Sequence, residues 1–152
     1  VDTGRYHEPD GGRFDSCPCY SLTEDNVEQY LVLIVIYLLF LHFVGDFVFQ
    51  TRWMANNKGK KIIALIVHIL AYTFILAAGT ALLLSKVTWD VWATYVGSNA
   101  GLHLFTDAIT SQFTRRYKEV GDEKAFFTAI GFDQFLHGAA LIGTFYLIFL
   151  MK

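Results

Sequence analysis

Proline is absent from everything beyond Pro18; the only two are Pro9 and Pro18. Its ring removes a backbone donor and clashes with the preceding turn, so the main helix breaker is missing from the rest of the chain. Cysteine is as scarce, with Cys17 and Cys19 alone, which excludes a disulfide framework. Their spacing is neither a C-x-x-C redox pair nor a C-x-x-C-H haem attachment site, and they read as a solvated pair. Charge is thin, at 17% of residues with a net −2. A chain with no basic excess carries no electrostatic footprint for nucleic acid, and no nucleic-acid partner is expected. What abounds is apolar, 54% of 152 residues. That is too much for a disordered chain.

The apolar residues gather after residue 29 in four blocks, Tyr30–Phe49, Ile62–Leu84, Val91–Phe113 and Phe126–Met151. A hydrocarbon core roughly 30 Å thick takes about 20 apolar residues in helical form. Each block is therefore expected to cross a bilayer. The third is the weakest, because Ser98, Asn99, Thr106 and Asp107 interrupt it. The expected fold is all-α: a polytopic membrane protein with a four-transmembrane-helix bundle over residues 30–152, preceded by a polar extramembrane segment, residues 1–29. A soluble helical core is disfavoured, since Leu31–Phe43 and Leu141–Met151 have almost no polar face. Within the head, Ser21 and Glu24 have capping-box spacing, with Thr23 as a second candidate cap.

Basic residues set the expected orientation. Arg52, Lys58, Lys60 and Lys61 follow the first block, and Arg115, Arg116, Lys118 and Lys124 follow the third. By the positive-inside rule both loops are cytoplasmic and both termini lie on the outer side. Trp89 and Trp92 then suit the outer interface and Trp53 the inner one. A chain that opens on Val1 rather than Met is expected to have shed a leader, in keeping with an outward N-terminus. The lipid bilayer is the first expected partner. The small size, with no large soluble domain, adds other membrane subunits or further copies of the chain.

Ionisable groups inside a bilayer are costly, and each needs a reason. The first block holds Leu41-His42 with Asp46 four residues after the His, and the third holds Leu102-His103 with Asp107 in the same relation. The second block contains His68, and the fourth contains Asp133, Gln134 and His137. The chain thus reads as an internal two-hairpin pseudo-repeat, an arrangement that often places a shared site where the halves meet. Residues four apart share a helix face, as two ligands to one metal ion must. His42, Asp46, His68, His103, Asp107, Asp133 and His137 are therefore the candidate metal ligands, with enough donors for one or two divalent ions. Zinc, manganese and iron all suit mixed nitrogen and oxygen ligands. Asp46, nearest the interface by position along its block, is the candidate general base. The alternatives are a structural hydrogen-bond network between helices and, less suited to carboxylate neighbours, an axially ligated haem. Gly45, Gly101 and Gly138, beside three of the histidines, are expected to admit close helix approach.

The run His42-Phe-Val-Gly-Asp46-Phe-Val-Phe-Gln50-Thr-Arg-Trp-Met-Ala-Asn-Asn-Lys58 resembles the opening signature of the bacterial and phage membrane family known as domain of unknown function 3307. His68, His103 with Asp107, and Asp133-Gln134 with His137 follow in that family's order. The resemblance covers about residues 38–150. It implies a four-helix protein of the bacterial inner (cytoplasmic) membrane with a polar His/Asp centre, and it implies no particular activity. The family tends to carry a Lys three residues after the second Asp, where this chain has Thr110. Three functions fit these features: a membrane metalloprotein, extending to a metal-dependent hydrolase at the inner leaflet; an accessory subunit of a larger complex; and a cation path built by an oligomer.

Overall fold

The computed structural model describes residues 24–150, with side chains from Gln29 onward. Cys17, Cys19 and the candidate caps Ser21 and Thr23 lie outside the described residues, as do Met151 and Lys152. Among the described residues every regular element is helical: α1 (Glu24–Phe43), a π-helical turn (Val44–Val48), α2 (Arg52–Asn57), α3 (Ile62–Leu83), α4 (Trp89–Val120), α5 (Glu123–Phe145) and a second π-helical turn (Tyr146–Leu150).

Local chemistry explains the boundaries. The Thr51 side chain accepts a hydrogen bond from the Met54 amide at 3.3 Å and starts α2. The basic stretch expected as a plain loop thereby holds a short helix. Asp122 does the same for α5, accepting from the Ala125 amide at 2.9 Å. α4 stops at Gly121, whose φ of 74° is left-handed and suits a residue without Cβ. That end lies seven residues beyond the expected Phe113. The extra turns carry Arg115, Arg116, Lys118 and Glu119 and continue the helix past the point where hydropathy runs out.

Three segments are long and apolar enough to cross a membrane: Gln29–Val48, Ile62–Leu83 and Glu123–Leu150. α4 does not reach that hydropathy, although at 32 residues it is the longest helix. Its buried residues, Tyr95, Val96, Asn99, His103, Asp107, Thr110 and Ser111, form one stripe at helical spacing. Most of the stripe is polar, which is why averaging along the sequence makes the helix look weak.

The interior has two layers. One is apolar: Leu38 of α1, Tyr72 and Leu76 of α3, Tyr95 and Val96 of α4, and Leu141 and Phe145 of α5. Cross-helix hydrogen bonds pin it. Trp92 Nε1 donates to Thr80 Oγ1 at 3.2 Å, and Asn99 Nδ2 donates to Thr144 Oγ1 at 2.8 Å. One turn further along each helix, toward α2 and the α4–α5 turn, the interior becomes polar. There lie His42, Asp46, His68, His103, Asp107, Asp133 and His137, none more than 7% exposed. α1 approaches α3 closely where the layers meet, since a Cβ on Gly45 would stand 3.0 Å from Tyr72 Cδ2. The close approach expected at Gly101 does not occur, since nothing lies within 4 Å of its Cβ position, and Gly138 meets only Leu39. Gly101 lies on the exposed face of α4.

Candidate metal centre

Each histidine and carboxylate arrives on a different register of helix. His42 ends α1, and Asp46 follows within the π-helical turn, a wider turn often found at functional positions. His68 comes from the buried side of α3. His103 and Asp107 share one face of regular α4, and Asp133 and His137 share one face of α5. All seven sequence candidates fall into three overlapping groups, within each of which the ligand atoms lie no more than 4.8 Å apart.

The tightest group is Asp46, His68, His103 and Asp107. His68 Nε2 stands 3.0 Å from Asp46 Oδ1, 3.0 Å from Asp107 Oδ2 and 3.2 Å from His103 Nε2. His103 Nε2 stands 3.6 Å from each of the same two oxygens. A ring nitrogen has one proton or one lone pair, in the ring plane, and cannot bond to three neighbours at once. A divalent ion bonded at about 2.0–2.2 Å to each of four tetrahedral ligands holds them about 3.3–3.6 Å apart. His103 Nε2 stands at that spacing from both carboxylate oxygens, and the three contacts of His68 Nε2, at 3.0–3.2 Å, are a few tenths of an ångström shorter.

The surroundings orient these atoms. The Gln50 amide lies 3.4 Å from His68 Nδ1. The atom facing the ring is the amide nitrogen Nε2, so Gln50 donates to His68 Nδ1; the amide turned over would instead accept the Nδ1–H and leave His68 Nε2 a bare lone pair. Tyr72 stacks on His103 with ring centroids 3.9 Å apart. Lys58 Nζ contacts both oxygens of Asp107, at 2.9 and 3.1 Å.

The other two groups are His42–Asp46–His137 and Asp107–Asp133–His137. Gln134 ties them to the first. Its amide donates to Asp46 Oδ2 at 2.7 Å and Asp133 Oδ2 at 3.0 Å, and its carbonyl accepts from His42 Nε2 at 3.1 Å. His137 donates through Nδ1 to the Asp133 carbonyl at 2.9 Å. Thr110, at the position where the resemblance leads one to look for Lys, donates its hydroxyl to Asp133 Oδ1. Asp46 Oδ1, His42 Nδ1 and His137 Nε2 are left buried with no aligned hydrogen bond.

Lys58, Gln134, Gln50, Thr110 and Tyr72 are not among the sequence candidates. Lys58 has a visible signal, since it closes the run that carries the resemblance, yet its ordinary meaning as a marker of sidedness hides its contact with Asp107. Gln134 has the weaker signal of standing next to Asp133.

The centre opens on one side. A cleft of about 450 Å³ runs from Asp46, Asp107, Asp133 and Gln134 outward past Ser111 and Arg115 to Lys60 and Lys118. Ser111 Oγ and Arg115 Nε are buried there with no hydrogen-bond partner. Gly59 presses on α4 beside them, where a Cβ would stand 2.7 Å from the Ser111 carbonyl oxygen, and this holds Lys58 over Asp107.

Residues 34–152 match a family model described as protein of unknown function, DUF3307. No curated protein and no solved structure matches.

Proposed function

Given that the chain belongs to the DUF3307 family, we propose that it is an integral membrane protein of four spanning helices that holds a divalent metal ion and hydrolyses anionic esters at one membrane face. The convergence of Asp46 Oδ1, His68 Nε2, His103 Nε2 and Asp107 Oδ2 carries the reading. A purely structural network accounts for it less well, because the buried nitrogens His42 Nδ1 and His137 Nε2 would remain unpartnered.

The outward face of α4 supports its being the remaining span. Its polar stripe is turned inward, while Phe105, Ile109 and Phe113 are exposed, Phe105 by 66%. Apolar outside and polar inside is the pattern of a helix facing lipid. With α4 crossing, the turn carrying Lys58 and the end of α4 carrying Arg115 share one side, the cytoplasmic side by charge, and the termini lie outside. The pseudo-repeat is supported by corresponding pairs: Asp46 meets His68 in one group, and its counterpart Asp107 meets His137 in another.

A divalent ion in the group would lower the pKa of a coordinated water and polarise a phosphoryl or carbonyl oxygen. Asp46, in the ligand set and also on the cleft wall, takes the proton of the attacking water. The water oxygen bonds to phosphorus or to the acyl carbon, the ester bond breaks, and the proton passes to the departing oxygen. No oxidant or reductant is needed. Lys60, Arg115 and Lys118 at the mouth stand against one carboxylate, Glu119, which lies 3.4 Å from Lys60 and 3.7 Å from Arg115, and the remaining positive charge favours a substrate that carries phosphate.

The test is elemental analysis of the purified protein together with turnover of bis-p-nitrophenyl phosphate and a short-chain phosphatidylglycerol. The expected result is at least one equivalent of divalent metal per chain and measurable turnover, both lost in His68→Ala with helicity retained. A metal-free wild-type protein of full helicity overturns the reading.

A further inference from the structure

The geometry points to a second divalent-ion position beside the first, formed by His42, Asp46 and His137, with Asp46 shared between the two and the second ion completed by an anionic phosphate group. It rests on the metal reading above and deepens it.

The two hairpins can be exchanged on paper. Swapping them turns His42 into His103, Asp46 into Asp107 and His68 into His137. The tight group Asp46–His68–His103–Asp107 then becomes Asp107–His137–His42–Asp46. Three of those four residues, His42, Asp46 and His137, form a close group of their own, and Asp107 joins His137 in the remaining one. Asp46 belongs to both the tight group and the His42–Asp46–His137 group, as a bridging carboxylate does in helical bundles that hold two ions, and Asp107 links the tight group to His137 through the third.

The protons agree. His42 gives its Nε2 hydrogen to Gln134, and His137 gives its Nδ1 hydrogen to the Asp133 carbonyl. The nitrogens that remain, His42 Nδ1 and His137 Nε2, are bare, buried and unpartnered. These are lone pairs without a donor, and what satisfies them is a cation.

Charge decides when the second ion enters. The cluster holds three carboxylates, Asp46, Asp107 and Asp133, against one cation, Lys58. One divalent ion brings it to neutrality. A second leaves two uncompensated positive charges in a buried site, which is unfavourable unless an anion enters with it. The cleft ends at this cluster, and Arg115, Lys60 and Lys118 line it toward the mouth, where such an anion would enter. A phosphate ester spanning two ions is the arrangement of two-metal phosphoryl hydrolysis.

The experiment is a Mn²⁺ titration of the full chain in detergent, followed by electron paramagnetic resonance, with and without inorganic phosphate and with dihexanoyl phosphatidic acid in a parallel arm. Without phosphate, one Mn²⁺ binds and gives an isolated six-line spectrum. With phosphate, a second binds with an apparent Kd at least tenfold lower than before, and the spectrum becomes that of an exchange-coupled pair. A stronger effect of the lipid identifies a headgroup as the source of the phosphate, and an equal effect identifies a soluble ester. His137→Ala keeps the first ion and loses the coupled signal; His42→Gln does the same if the first variant does not fold. A wild-type protein that stays at one isolated Mn²⁺ in phosphate overturns this inference and leaves the single-ion reading standing. A protein that binds no Mn²⁺ overturns both.

Discussion

At the scale of single residues, Lys58 shows how a charge can serve two ends. Its ammonium sits on both oxygens of Asp107 and is 14% exposed. Truncating it in Lys58→Met strands a buried carboxylate, and breaking such a pair costs on the order of 3 kcal/mol. The same change makes the cluster more negative and strengthens its hold on a divalent ion. Thermal unfolding in detergent is expected to show a lower Tm than wild type without metal, and a larger rise on adding Zn²⁺. Equal rises in the two proteins would remove Lys58 from the electrostatics of the centre. This residue also marks the edge of what residue identity alone conveys. Six of the seven candidate ligands are legible as three pairs four residues apart and His68 as a lone imidazole in an apolar run, because ionisable groups there are too costly to stand without a shared purpose. A lysine after a membrane span already has an ordinary purpose, its effect on topology, and Gln134 has no spacing partner at all. Both acquire a role only when helices far apart in sequence are brought together.

At the scale of elements, the π-helical turn at Val44–Val48 distinguishes the two halves of the pseudo-repeat. Asp107 is reached within a regular helix, whereas Asp46 lies on a turn one residue wider. The turn packs on α3 through Gly45, with Tyr72 against it and His103 stacked behind Tyr72. In Gly45→Val the added atoms push into Tyr72, with an overpacking cost of about 1–3 kcal/mol, and the displacement passes to two metal ligands. Gly101→Val, on open surface, is expected to change stability by less than about 0.5 kcal/mol. Comparing the Tm and bound metal of the two variants checks this. Loss of metal from both, or from neither, would detach the turn from the centre. The helices themselves were legible because apolar runs of this length have one economical conformation in lipid. The π-turn, the short α2 and the extension of α4 to Val120 were not, because they depend on hydrogen-bond register and caps rather than on hydropathy.

At the scale of the whole molecule, the proposed topology makes the cleft and both basic loops cytoplasmic. Alkaline phosphatase fused after Lys61 or after Lys118 is expected to be inactive, and active when fused after Val87. The reverse pattern would turn the centre toward the outside. The apolar layer of Leu38, Leu76, Tyr95 and Leu141 lies between the centre and the far side, with Tyr72 closing its lower edge. That layer is an insulator. In the proposed orientation nearly all of a transmembrane voltage falls across it, and the chamber below stays at the potential of the compartment it opens to. Ions reaching the histidines then do no electrical work, so their occupancy is indifferent to membrane energisation, and the chamber forms a blind alcove rather than a conduit.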